Sequence, residues 1–402
     1  MTPSTQWALQ DFVRFAGENG CSLYFDRLFR DGLQACPISL QERYGGLRRW
    51  KGLTQFKHSL RRLLKAPTRT AVLPASRTTQ LMRLGAHCLF RKAKRVLYTD
   101  LVWPSYGRIL EHTRKIYRGQ TVQVRLRRQL LRETMSAGDV IERVVRAYLD
   151  HGCDGFFLPE ISHHGVRLPV GEISSILKRI ESPRFALIDG AQALGHAPVS
   201  LADGLCDFFF AGSQKWLGAY LPLGIAVCPK PESACWIKDE CRAFGRLTLW
   251  EDPLGAFVQQ VEDNCNERFS ETVNLSPLFC CQAAIVDRNR KLDAEYCRRM
   301  QNAEFLSQAL PYTGWVSLRP TKELGSGILL VQAVRAPLRR RPPDEVRAIL
   351  LSEGVSVSTY AGGVIRLSMP DVPFTSSQIR TICSAFLSCH RKAYSRELAV
   401  AV

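Results

Sequence analysis

From about residue 70 the chain alternates short apolar runs with longer amphipathic stretches, the pattern that strands and helices make in βαβ units. Candidate strands are Ala71 to Pro74, Arg95 to Tyr98, Thr121 to Val124, Gly155 to Leu158, Phe185 to Ile188, Phe208 to Ala211 and Gly224 to Val227. Most are apolar enough to be buried on both faces, which predicts an α/β architecture with one large, mostly parallel seven-stranded sheet between helices. After about Pro277 the pattern turns helical, and from Ser326 it becomes a shorter α+β region. Its strands are predicted at Gly327 to Val334, Val355 to Ser358 and Val364 to Ser368, with Pro342 and Pro343 opening a helix that runs towards Glu353. The expected organisation is an N-terminal segment (1–40) packing with a small C-terminal domain (291–402), and a large domain (41–290) between them.

Composition narrows the class. The chain has 402 residues, 46% hydrophobic and 23% charged, the balance of a folded globular protein. Neither a basic leader with a long apolar run nor a stretch of roughly eighteen apolar residues is present, so a soluble, cytoplasmic protein is expected. The 14 cysteines are scattered and lack zinc-ligand spacing, which points to reduced, mostly buried thiols and to no metal site.

Charge adds a question. Lys plus Arg is 55 against 37 for Asp plus Glu, a formal net charge of +18. Such a surface attracts nucleic acid, anionic lipid, an acidic carrier protein or a small anionic substrate, and charge alone does not select among them. Much of the excess lies in residues 43–69, 125–132 and 339–341, where a solvated helix face or loop is the plain structural account.

Residues 185–228 carry the strongest chemical signal. A strand ends in Asp189, an irregular stretch runs through Gln192 and His196, a second strand follows, and Gly212-Ser213-Gln214-Lys215 leads to a third. In open α/β sheets ligands sit beyond the carboxyl ends of strands, so Asp189 and the Gly212 to Lys215 segment face one crevice. An amine that holds an aldehyde cofactor as a Schiff base, and a carboxylate that keeps a pyridine nitrogen protonated, are the two parts electron-sink chemistry needs. Lys215 and Asp189 supply them, and Gln192 is placed to hydrogen-bond the cofactor's phenolic oxygen.

Asp189 to Gln192, Gly195 to Val199, Asp207-Phe208 and Lys215 to Leu217 follow in the order seen in the class V aminotransferases. The chain resembles that family of fold-type I pyridoxal-phosphate (PLP) enzymes, which includes cysteine desulfurases, isopenicillin N epimerase and kynureninase. The resemblance implies PLP as cofactor and a homodimer with shared active sites. It implies phosphate contacts from Thr78 and Thr79, at a helix start after the first strand, with Ser213 and Gln214 as further donors. Trp103 takes the place of the ring that stacks on the cofactor, His163 lies in the loop near its hydroxyl side, and Thr272 reaches the phosphate of the neighbouring subunit. Arg366, in the run Gly363 to Ser368, takes the place of the arginine that binds the substrate α-carboxylate through its planar fork.

The chain departs from the family in three places. Gln214 stands where His often precedes the lysine, Glu271 stands where a glycine usually precedes the threonine, and Ser358 to Gly363 contains no cysteine. The last departure argues against a desulfurase, whose thiolate must attack the substrate sulfur. Because transamination is common in the family the chain resembles, the expected function is a PLP-dependent aminotransferase acting on an amino-acid substrate. A lyase or epimerase of specialised biosynthesis is the alternative, and a non-catalytic protein binding nucleic acid or an acidic partner is the alternative of another class, which the retention of Lys215 and Asp189 disfavours.

Overall fold

The computed structural model describes residues 2–20, 23–132, 134–202, 204–244, 252–263, 273–288 and 291–400. They divide into two compact units, one of residues 1–124, 143–160 and 170–292, the other of residues 125–142, 161–169 and 293–402.

The first unit is built on a seven-stranded sheet of β1 (Ala71–Ala75), β2 (Arg95–Thr99), β3 (Gln120–Val124), β4 (Gly155–Pro159), β5 (Phe185–Asp189), β6 (Phe208–Gly212) and β7 (Gly224–Cys228), in the order β1-β7-β6-β5-β4-β2-β3. Every residue of β4 to β7 is buried, because helices cover both faces and these strands carry near-continuous apolar runs. β3 alternates Gln, Thr and Val and lies at an edge, where half-exposed positions accept polar side chains. The strands β2 to β6 pair in parallel, whereas β7 runs antiparallel to both β1 and β6. The carboxyl ends of β1 and β6 and the amino end of β7 therefore meet at one margin of the sheet, and Ala75, Gly224 and Gly212 lie side by side there.

The N-terminal segment differs from expectation. Its helix Pro3–Asn19 packs on the helix Ser276–Arg288 within this first unit, with Phe12 stacked on Phe279 at 4.2 Å between ring centroids. Trp50 meets the same Phe279 at 4.4 Å, so an aromatic cluster claims residues that composition alone left without an address.

The second unit holds an antiparallel sheet of β8 (Trp315–Leu318), β9 (Ile328–Ala333), β10 (Ser358–Tyr360) and β11 (Val364–Ser368), in the order β10-β11-β9-β8. β8 was not predicted; it has only four residues, and Trp315 fixes it by donating its indole N–H to the Phe386 carbonyl at 3.2 Å. β10 starts three residues later than the predicted strand at Val355. That valine instead closes the helix Pro343–Ser352, its N–H donating to the Leu350 carbonyl at 2.9 Å while its side chain joins the core.

Candidate functional site

Asp189 is the last residue of β5 and is only 6% exposed. Its Oδ1 accepts the Ala191 N–H at 2.8 Å. Burial pushes the carboxyl up to about 6 from an ordinary value near 3.8, against the opposing pull of that N–H and of the Lys215 ammonium. A carboxylate in this position is stabilised by a second cationic group, which is what a protonated ring nitrogen provides. Lys215 follows β6 by three residues, in a turn, and is exposed. The buried acid and the accessible amine thus stand beyond the ends of two adjacent parallel strands, as the sequence predicts.

The sheet margin next to them forms a cradle. Thr78 is buried at the first position of the helix Thr78–Lys92, whose N-cap Arg77 gives no side-chain cap. Uncapped N–H groups at the positive end of a helix are suited to a phosphate. A Cβ on Gly212 would lie 2.6 Å from Thr78 Oγ1 and 2.8 Å from Gln214 Oε1, and one on Gly224 would lie 2.9 Å from the Thr78 amide nitrogen. Only glycine admits this approach, so the helix start and the lysine segment are packed around the same spot. Gln214 Oε1 is buried there with no hydrogen-bond partner. Thr79, one residue on, is exposed. Ser213 is buried, its hydroxyl donating to the Leu221 carbonyl at 3.2 Å and its N–H to the Leu223 carbonyl at 3.0 Å. An aldehyde cofactor with one phosphate and one basic ring nitrogen fits this donor set: cradle, buried carboxylate and amine occur together on one margin.

Other predicted residues are held as follows. Gln192 accepts the Trp216 indole N–H on Oε1 at 2.8 Å, and its carbonyl meets His196 Nδ1 at 2.8 Å. The His196 and Trp216 rings stack at 3.8 Å, 16° from parallel. Gly195, at φ +74°, brings this group onto the lysine segment, since a Cβ there would lie 2.5 Å from the Leu217 Cα. Trp103 caps the helix Pro104–Ile116 just after β2 and is 41% exposed, so its indole is not spent on the core. Thr272 lies outside the described residues.

His163 and Arg366 belong to the second unit. Arg366 is half-buried in β11, and its Nε donates to the His163 carbonyl at 3.1 Å. The His163 and His164 rings lie 3.7 Å apart. Burial, with the neighbouring His163, Arg127 and Arg366, pushes the His164 imidazole down to about 3, so it stays neutral at physiological pH.

Two residues that sequence reasoning passed over support the first set. Asp252 is 1% exposed and accepts the Ser76 N–H at 2.8 Å and the Gly255 N–H at 2.8 Å, tying the residue before the cradle to the start of the helix Pro253–Glu262. An Asp followed by Pro before an amphipathic run is the signal that marks it. Tyr106 is buried close enough to Asp189 for that carboxylate, with burial, to raise its phenol.

Residues 47–230 match the family model described as aminotransferase class-V. Over 205 residues the chain is 28% identical to a probable hercynylcysteine sulfoxide lyase of Mycobacterium tuberculosis (strain CDC 1551 / Oshkosh), a match covering 50% of this chain and 46% of that protein. The matched region thus spans about half the length of the curated relative. Among solved structures, the complex of a cystine C-S lyase with its product cysteine persulfide superposes with a TM-score of 0.67 at 14% identity, covering 96% of this chain and 94% of that one. Ureidoglycine-glyoxylate aminotransferase from Bacillus subtilis does so with a TM-score of 0.61 at 13% identity, covering 85% and 84%.

Proposed function

Since residues 47–230 belong to the class V aminotransferase family, on a fold-type I scaffold with pyridoxal phosphate as cofactor, we propose that Lys215 serves as attachment residue and proton carrier in an enzyme acting at the α-carbon of an amino acid. The observation that carries this reading is the pairing of a buried carboxylate, Asp189, with the Lys215 amine beside the Thr78, Gly212 and Gln214 cradle. When bound, the cofactor supplies an electron sink for charge developing at the α-carbon. Asp189 would hold the ring nitrogen protonated, and Thr78, Thr79 and Gln214 would hold the phosphate; Ser213, expected as a further donor, instead spends its hydroxyl and N–H on the Leu221 and Leu223 carbonyls and shapes the cradle. Gln192, whose Oε1 accepts from Trp216, would offer its amide nitrogen to the phenolic oxygen, and Trp103 would supply the stacking ring. Lys215 Nζ would carry the proton taken from and returned to the substrate α-carbon.

Arg366 takes the substrate α-carboxylate, its guanidinium steadied by the bond from Nε to the His163 carbonyl. Thr272 would complete the phosphate site of a second copy in a homodimer. A substrate presented on an acidic carrier protein suits the net charge of +18, and loss of binding with rising salt would test it.

Transamination is the first reading of the reaction, supported by the family description and by the aminotransferase with the same fold. Elimination with C–S cleavage is the second, favoured by the names of the sequence relative and of the C-S lyase. A persulfide-forming desulfurase is disfavoured, because β10 and β11 are joined by only Ala361, Gly362 and Gly363.

The deciding experiment incubates the PLP-loaded enzyme with single amino acids and S-substituted cysteines. Transamination leaves pyridoxamine phosphate and one keto acid per site, while elimination leaves the cofactor as aldehyde and releases pyruvate, ammonia and the sulfur fragment. If the cofactor's visible band is absent after loading, or survives borohydride unchanged, the reading fails at its first step.

A further inference from the structure

The second unit contains a cavity of about 570 Å³ that neither Lys215, Asp189 nor Arg366 lines. Its volume is in the range of small-molecule sites, roughly 300 to 1,000 Å³. One wall is the helix Leu292–Ala309, which offers Tyr296, Met300 and Phe305; the other is the stretch Arg319 to Leu329 leading into β9. Phe305 is 58% exposed, an apolar ring at an opening rather than in the core.

The polar lining is uneven. Glu304 is paired with Arg319, and Glu323 accepts the Ala137 N–H at 2.6 Å. The lining as a whole carries three cations, Arg167, Arg319 and Lys322, against the two carboxylates Glu304 and Glu323. The Arg167 guanidinium lies over the Tyr296 ring at 5.5 Å, which keeps it at the wall. An apolar floor whose lining carries one more cation than carboxylates is complementary to a molecule with an apolar body and one anionic group.

Arg167 also connects this cavity to Arg366. Residues 161–167 form a short hairpin, closed by the bridge between Ile161 and Arg167 and by the Ser162 N–H to Val166 carbonyl bond of 2.8 Å. The hairpin is fastened to the cavity wall: Arg167 N–H donates to the Leu324 carbonyl at 2.8 Å, and Ser326 Oγ donates to the Gly165 carbonyl at 2.8 Å. A Cβ on Gly165 would lie 2.4 Å from the Ile328 carbonyl oxygen, so the seat is close. The same hairpin presents the His163 carbonyl to Arg366, whose strand pairs with β9 at Leu330.

We propose that the cavity binds a small amphipathic anion, an aromatic or branched-chain acid, and that occupancy alters the setting of Arg366 through the 161–167 hairpin. Binding is read without turnover, so a failure of the amino-acid reading leaves it intact. The coupling to substrate rests on Arg366's assignment.

The test titrates full-length, PLP-loaded protein with 8-anilinonaphthalene-1-sulfonate and follows fluorescence and amide hydrogen exchange. Saturable binding of one dye per chain is expected, with slower exchange over residues 161–167 and 364–368. R167Q combined with K322Q should weaken binding roughly tenfold or more, the loss expected for charge-assisted contacts. M300W, which fills the floor, should abolish it. Circular dichroism confirms folding, and the surface variants R167Q and K322Q decide the matter if M300W does not fold. Dye binding indifferent to these variants, or exchange at residues 364–368 unmoved at saturation, overturns the proposal. So does dye release that tracks self-association across a protein dilution series, which would give the cavity to a second copy of the chain.

Discussion

At the seven-stranded sheet, Asp189 ends one strand, Lys215 follows the next by three residues, and Thr78 opens the helix after a third, so backbone spacing within the sheet sets all three. In the second unit, Arg366 sits in mid-strand and is steadied by the carbonyl of His163, 203 residues away in sequence. The first arrangement leaves little room for adjustment, because Gly212 and Gly224 bring backbones within a Cβ's width of their neighbours. The second depends on side-chain hydrogen bonds, which tolerate small shifts. On the proposed roles, chemistry that needs fixed geometry would fall to the tightly packed margin and recognition of the substrate to the strand that carries Arg366.

The largest expected effect tests the rigid margin itself. Lys215→Ala should lower kcat by roughly 10³-fold or more and remove the borohydride-sensitive band, as loss of a positioned acid–base group predicts. Asp189→Asn comes next, and it has a signature in the PLP-free protein. Because burial raises the folded-state value to about 6, the native state prefers the protonated acid. That contribution to stability is fully present below the unfolded value near 3.8 and is lost as pH rises through about 6. PLP-free wild type should therefore gain up to about 3 kcal/mol relative to Asp189→Asn between pH 7 and pH 4, measured by denaturant melts.

Gly195→Ala probes packing alone: a residue at φ +74° with a Cβ against the Leu217 backbone should cost roughly 1–3 kcal/mol and weaken PLP binding without altering the reaction. Arg366→Lys sharpens the contrast from the other side. It should raise KM for the amino acid by roughly tenfold while changing kcat less, since a point charge replaces a bidentate fork. The smallest effect is expected for His164→Gln. With its imidazole held neutral, the pH profile of kcat/KM should keep both limbs between about pH 5 and 8.

Legibility in the sequence follows the same division. β4 to β7 were readable because apolar runs buried on both faces need no partner to identify them, and β1 to β3 because they recur at βαβ spacing before and after amphipathic stretches. The candidates Asp189, Gln192 and Lys215 could be proposed together from sequence because the turn, the glycine at 195 and the Trp216 contact fall within one contiguous stretch. Arg366 was singled out through resemblance alone, and its tie to His163 was not foreseen, since nothing local joins residues so far apart. Asp252 escaped because its partner Ser76 lies 176 residues away. The same holds for the N-terminal helix, whose place depends on Phe279. The strand at Trp315 was hidden by its length of four residues.

The position of β7 governs how the molecule is made. It is the last of the seven strands along the chain, yet it lies between β1 and β6, and its Gly224 abuts the helix start that begins with Thr78. A nascent chain that has emerged only as far as residue 220 can pair β2 with β3, β4 with β5 and β5 with β6, but the gap beside β1 stays open. Closing it joins residues some 150 apart, a non-local step of the kind that slows folding. With the proposed phosphate cradle, cofactor capture would wait until that strand has been inserted, so that a bound cofactor would certify finished assembly and the flanks of β1 and β6 would be the surfaces most in need of protection during synthesis.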